Sequence, residues 1–133
     1  MKALFNGQPA QDWTQSRALH YGDGIFRTLL VCRGVAVDWD LQYRKLAGDC
    51  RALELEPPSE ASLARDLAEL RIDAHNTVLK IMVWRKAGAR GYPPAGSASD
   101  RLCLVYPAPR YPASHWDNGI QAFRCDIRLA AQP

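Results

Sequence analysis

Four short stretches carry the residue types from which a binding or reaction site is built. "YGDGIF", residues 21–26, sets Asp23 between Gly22 and Gly24 and brackets the turn with Tyr21 and Phe26. Glycines permit backbone angles closed to other residues and let another group approach the main chain. The stretch reads either as a pocket wall at the mouth of a strand or as a tight connection plugged by aromatics. "WRKAGARGYPP", residues 84–94, exposes backbone N–H groups and two arginines. An arginine there can clamp a carboxylate through two parallel hydrogen bonds. An acidic small molecule is the natural ligand, and a solvated loop is the alternative. The Gly-x-x-x-x-Gly-Lys pattern of a nucleotide-phosphate loop is absent.

"QYRKL", residues 42–46, places Lys45 beside the apolar stripe of a helix. Its amine can snorkel at the core edge or reach a phosphate. Lys80 stands inside an apolar strand, where a desolvated amine can do Schiff-base chemistry. The alternation sends Leu79, Ile81 and Val83 inward, and therefore Lys80 outward. His20, His75 and His115 have no partner at catalytic spacing and read as structural or surface residues.

The elements that must position these groups follow from periodicity. "KALFNGQPA" is a strand, an Asn6-Gly7 turn and a return, since Asn-Gly favours the positive φ angles of a hairpin. "FRTLLVCRGVAVDW" is two strands joined at Arg33-Gly34. Both faces of its first strand are apolar, which predicts burial on both sides or the lining of a pocket. Trp39, Tyr43, Leu46, Cys50 and Leu53 form one helical stripe that Pro57-Pro58 should end. Ser59 caps a second helix with Leu63, Leu67 and Leu70 inward. "NTVLKIMVWRK", residues 76–86, is the strongest strand. "RLCLVYPA" and "GIQAFRCDIRL" are two more, with Phe123, Cys125, Ile127 and Leu129 on one face of the second. The order predicts an α+β fold, a mostly antiparallel sheet packed against a two-helix layer. "LAAQP" closes no domain.

Composition narrows the function classes. The 133 residues suffice for one domain with a core, and 47% hydrophobic with 23% charged residues is globular. A net charge of +3 from 17 dispersed Lys and Arg residues gives no nucleic-acid footprint. No apolar run approaches a membrane span, and "MKALFNG" does not read as an apolar leader, so neither export nor membrane spanning is expected. Cys32, Cys50, Cys103 and Cys125 lack zinc spacing. The expectation is a cytoplasmic protein with reduced, mostly buried thiols and no metal.

Together the stretches resemble one family. "SRALHYGDGIFRTLLV" is similar to the signature Asp-Arg-x-x-x-aromatic-Gly-Asp-Gly-x-Phe of the fold-type IV pyridoxal-phosphate enzymes. "DLQYRKLAGDCRALEL" resembles the helix after that family's first hairpin, usually His-x-x-Arg-Leu with a later Cys-x-x-Leu. "VLKIMVWRKAGARGY" resembles its Val-Leu-Lys strand and Arg-Gly-Tyr loop, and points within the family to the aminodeoxychorismate lyases. Branched-chain and D-amino-acid aminotransferases share the first motif more than the third. The resemblance implies a lyase that releases pyruvate to form 4-aminobenzoate, a folate precursor, with pyridoxal 5'-phosphate as electron sink.

It further implies cofactor-phosphate binding at Lys45, where the family has Arg. Substrate contacts fall on Tyr21, Phe26, Thr28, Leu30, Arg90 and Tyr92, for a small anionic substrate. A homodimer is implied, in which Tyr21 and the loop serve the other subunit. A naturally short, non-catalytic anion-binding module is the competing reading. The chain departs from the pattern at Ser16, Arg27, Gln42, Lys86 and Ala89. The family's Schiff-base lysine lies in a second domain, and Lys2, Lys45, Lys80 and Lys86 do not match it. The resemblance therefore predicts that residues 1–133 are an N-terminal small domain, inactive alone.

Overall fold

The computed structural model describes residues 2–9, 13–72, 76–88, 91–94 and 96–128. Asn6 and Gly7 take φ angles of 49° and 81°, the left-handed pair that folds β1 (Lys2–Phe5) tightly onto β2 (Gln8–Pro9). A five-residue helix, α1 (Arg17–Tyr21), leads into the long strand β3 (Gly24–Cys32). Arg33 and Gly34, at φ 51° and 79°, return the chain into the two-residue β4 (Val35–Ala36). The helices α2 (Trp39–Ala52) and α3 (Glu60–Glu69) follow. Then come β5 (Thr77–Arg85), β6 (Ser99–Pro107) and a short α4 (Ser114–Asp117).

The six strands form one sheet in the order β2-β1-β6-β5-β3-β4, and every neighbouring pair is antiparallel. The α+β expectation holds. Strand alternation assigns the two faces. Leu29, Val31, Leu79, Ile81, Val83, Cys103 and Val105 pack against Leu46 and Cys50 of α2 and Leu63 of α3. Burying each large aliphatic there contributes roughly 2 kcal/mol. Ser59 Oγ accepts from Ser62 N–H at 3.2 Å, the expected cap of α3. Trp39 Nε1 donates to Glu60 Oε1 at 2.8 Å and ties α2 to α3.

Three expectations need correction. First, α2 stops at Ala52, before the prolines. Glu54 adopts a left-handed φ of 54°, so Leu53 turns outward and Leu55 takes the core place at 2% exposure. Second, of the two readings of β3, burial on both sides fails and the lining of a pocket holds: Phe26 and Leu30 are exposed, and Gly24 and Phe26 line a cleft. Third, residues 119–128 form no strand. Phe123, Cys125 and Ile127 alternate as a strand should, yet all are exposed. A strand requires a hydrogen-bonded neighbour, and this segment pairs with none among the described residues.

Candidate functional site

The turn "YGDGIF" is built from local rules. Ser16 Oγ accepts from Leu19 N–H at 3.4 Å and starts α1. Gly22, at φ 63°, ends it in the left-handed conformation that glycine adopts without penalty. Gly24 serves another purpose. A Cβ there would lie 2.6 Å from the Val83 carbonyl oxygen and 2.7 Å from Trp84 Cβ. The second glycine therefore lets β3 begin directly against β5.

Asp23, between them, is the hub of a charged cluster. Its Oδ2 accepts from Arg17 Nε at 2.7 Å and from Arg85 Nε at 3.1 Å. Arg17 and Arg85 are only 7% and 8% exposed. A buried charge is tolerated where its hydrogen bonds are met, and these are. Arg17 donates through Nη1 to the Gly91 carbonyl and through Nη2 to the Tyr92 carbonyl, both at 3.0 Å. Arg85 donates to the carbonyls of Gly96 at 2.7 Å, Glu54 at 3.1 Å and Leu53 at 2.7 Å. One aspartate thus fixes two arginines, and these fix the "RGY" loop and the end of α2. The cluster is saturated and acts as a scaffold. Its residue types were visible in the sequence, but the pairing of Arg17 with a loop more than 70 residues away was not.

The scaffold brings Tyr21 and Tyr92 together, ring centroids 5.7 Å apart and edge-on. The Arg17 guanidinium covers the Tyr21 ring at 4.7 Å, and Gly91 N–H donates to Tyr21 Oη at 3.4 Å. Beside them a cleft of about 240 Å³ runs over Gly22, Gly24, Phe26 and Met82. Phe26, Thr28 and Leu30 continue along the open face of β3. Lys80 projects onto that face too, its Nζ 4.6 Å from the centre of the Phe26 ring. The outward expectation for Lys80 holds. Arg90, expected to bind carboxylate, lies outside the described residues, as do His75, Ala89 and Leu129.

Lys45 stands apart. It is an exposed residue of α2, on the helical side of the sheet, and pairs with Asp49 one turn on. Phe26, Thr28 and Leu30 occupy the opposite side. Two departures from the family pattern prove to be partners: Arg27 donates from Nε and Nη2 to Gln42 Oε1 at 3.2 and 2.9 Å. Arg27 therefore faces α2 and leaves the open face to its neighbours.

The thiols are free and unlike one another. Burial pushes Cys50 up to about 11 and Cys103 up to about 12, with Asp49 and Asp66 adding to the effect. Cys125 is exposed, and Cys32 half-buried, so burial extends to fewer thiols than expected. Iodoacetamide at pH 8 should alkylate Cys125 within minutes and leave Cys50 and Cys103 intact until the chain unfolds; peptide mapping reads the order. Because folding raises both pKa values, the unfolded chain loses these protons first. The stability they contribute is complete below about pH 9 and falls by about 1.4 kcal/mol per pH unit per thiol as pH rises towards 11.

Among the described residues no helix is long and apolar enough to cross a membrane, and no cluster of His, Cys, Asp and Glu could hold a metal ion. No protein-family model matches the chain. Over 98% of its length it superimposes on 4-amino-4-deoxychorismate lyase from Pseudomonas aeruginosa, with a TM-score of 0.83 and 34% identity, spanning 49% of that protein. The chain is related to the aminodeoxychorismate lyases and has the fold-type IV architecture. A curated aminodeoxychorismate lyase from Vibrio harveyi is 24% identical over 118 residues, 88% of this chain and 44% of that relative. A PLP-bound hypothetical aminotransferase from Mycobacterium tuberculosis shares the fold at a TM-score of 0.63 and 22% identity, over 82% of this chain and 40% of that one. The chain thus spans about half the length of the lyases it matches.

Proposed function

We propose that these residues form the N-terminal domain of a pyridoxal-phosphate-dependent aminodeoxychorismate lyase, which releases pyruvate to leave 4-aminobenzoate for folate synthesis. The observation that carries the reading is the match to the Pseudomonas aeruginosa lyase over nearly the whole chain, with two of the three stretches, the Gly-Asp-Gly turn and the strand and loop from Arg85 to Tyr92, joined by the Asp23 cluster. The rest of the enzyme, including the lysine that carries the cofactor, belongs to sequence outside residues 1–133, and this domain alone is inactive. The whole enzyme is a cytoplasmic homodimer.

Lys45 suits the cofactor's phosphate in chemistry. Its ammonium is exposed, and its present partner Asp49 is a half-exposed carboxylate that an incoming anion can displace at little cost. Bound pyridoxal phosphate would supply the electron sink for the elimination. Lys45 and the open-face residues stand on opposite sides of the sheet, so in the homodimer Tyr21, Phe26, Thr28, Leu30 and Tyr92 would orient a small anionic substrate and exclude water at the site of the other subunit, with Arg90 taking a carboxylate.

Two measurements test this. The full-length protein with pyridoxal phosphate should release pyruvate from aminodeoxychorismate. Amino-group transfer to 2-oxoglutarate without pyruvate would move it to the aminotransferases. Lys45→Ala should weaken cofactor binding roughly tenfold, the worth of one charge-assisted hydrogen bond, read as the cofactor concentration that half-saturates its absorbance. Unchanged affinity would remove Lys45 from the site.

A further inference from the structure

Of the three asparagines in the chain, Asn6 and Asn118 precede glycine. Such a pair is chemically labile, because glycine has no side chain to keep its backbone nitrogen away from the neighbouring amide. Both asparagines are exposed, so access to solvent does not separate them, whereas hydrogen bonding does. Asn6 Nδ2 donates to Asp100 Oδ1 at 2.9 Å, and Asn6 Oδ1 accepts from the Arg101 N–H at 2.8 Å. The Asn6 N–H donates in turn to the Arg101 carbonyl at 2.9 Å. This residue is therefore fixed at both ends of its side chain and at its backbone, in the turn that joins β1 to β2. Asn118 is fixed at one point: its N–H donates to the Ser114 carbonyl at 2.8 Å and closes α4. Among the described residues, its side-chain amide and the Gly119 N–H make no hydrogen bond. Gly119, at φ 73°, then opens the exposed segment 119–128.

We propose that Asn118-Gly119 is a site of spontaneous covalent modification, where Asn118 becomes aspartate and isoaspartate while the hydrogen-bonded Asn6 stays intact. The Gly119 backbone nitrogen gives its proton to solvent hydroxide and attacks Asn118 Cγ. A bond forms between them, the Cγ–Nδ2 bond breaks, and ammonia leaves with a proton taken from water. The product is a five-membered imide, which a second water opens. Cleavage at Cγ gives aspartate; cleavage at the main-chain carbonyl gives isoaspartate. Ring closure requires Asn118 to rotate away from its ψ of −5°, which breaks no side-chain hydrogen bond. The same rotation at Asn6 breaks two and opens the hairpin. Either product sets a second carboxylate beside Asp117. Isoaspartate also lengthens the main chain by one carbon, directly before the apolar alternation of Phe123, Cys125 and Ile127.

The experiment incubates full-length protein at pH 8 and digests it with trypsin, which separates the two pairs into peptides 3–17 and 111–124. Mass spectrometry should find Asn118 converted roughly tenfold faster than Asn6 or more, the protection that two hydrogen bonds provide. In denaturing urea the two rates should converge, because the difference belongs to the fold and to its local opening. Asp100→Ala frees the Asn6 amide and should speed Asn6 severalfold without changing Asn118. Equal rates in the folded protein, or Asn6 ahead of Asn118, would overturn the proposal. So would an Asn118 no faster than Asn76, which precedes threonine. An Asn6 rate unmoved by Asp100→Ala would remove hydrogen bonding as the reason for the difference and defeat it as well.

Discussion

Asp23→Ala should lower folding stability by about 3 kcal/mol, the usual cost of removing one partner from a buried ion pair. The reason lies in what is left behind. Arg17 and Arg85 are both nearly buried and both direct Nε at the same Asp23 oxygen. Without the carboxylate, two positive charges face each other in a poorly solvated pocket. For a chain of this size the loss corresponds to a fall in Tm of about 10 °C. The damage should also spread in a defined direction. Arg17 holds Gly91 and Tyr92, and Arg85 holds Gly96 and the end of α2. Hydrogen exchange should therefore accelerate at residues 91–97 and 53–56 before it does so in β5 or β6. Thermal melts with exchange mapping check both parts. A Tm within 2 °C of wild type, or uniform acceleration, would show that the cluster does not organise the loop.

Gly24→Ala is the second large effect, about 2 kcal/mol from overpacking. The added methyl meets backbone, the Val83 carbonyl at 2.6 Å, and no side-chain rotation relieves it. Gly22→Ala is the informative contrast. There the methyl meets nothing within 4 Å, and the cost is only that of a left-handed angle at φ 63°, about 1 kcal/mol. Urea melts of the two variants should rank Gly24→Ala as the more damaging. The reverse order would mean that β3 relaxes away from β5 and that close approach is not why glycine stands at 24.

Much of the fold was legible in the chain. The Asn6-Gly7 and Arg33-Gly34 turns, the stripe from Trp39 to Cys50 and the alternation through Leu79, Ile81 and Val83 each express a local rule, and each formed as read. The errors have a common cause. Leu53 and Leu55 exchanged places because a single left-handed residue, Glu54, shifted the face by its own geometry. The apolar alternation at Phe123 and Ile127 was read as a strand, but β structure depends on a neighbour that periodicity cannot supply. The short helix α1 went unread, although Ser16 and Gly22 are the start and stop signals of a helix one turn long.

The site divides along the same line. Residue types and motif order determined the family resemblance, the outward direction of Lys80 and the importance of the Gly-Asp-Gly turn, because these depend on spacing along one segment. Only the tertiary structure decided that Asp23 is a scaffold shared by Arg17 and Arg85, that Arg27 and Gln42 satisfy each other, and that Lys80 sits over Phe26 beside Thr28. Hydrogen bonds and charge pairs act over a few ångströms. Which groups lie that close across 15, 50 or 70 residues of chain is fixed by sheet register and helix packing, not by sequence position.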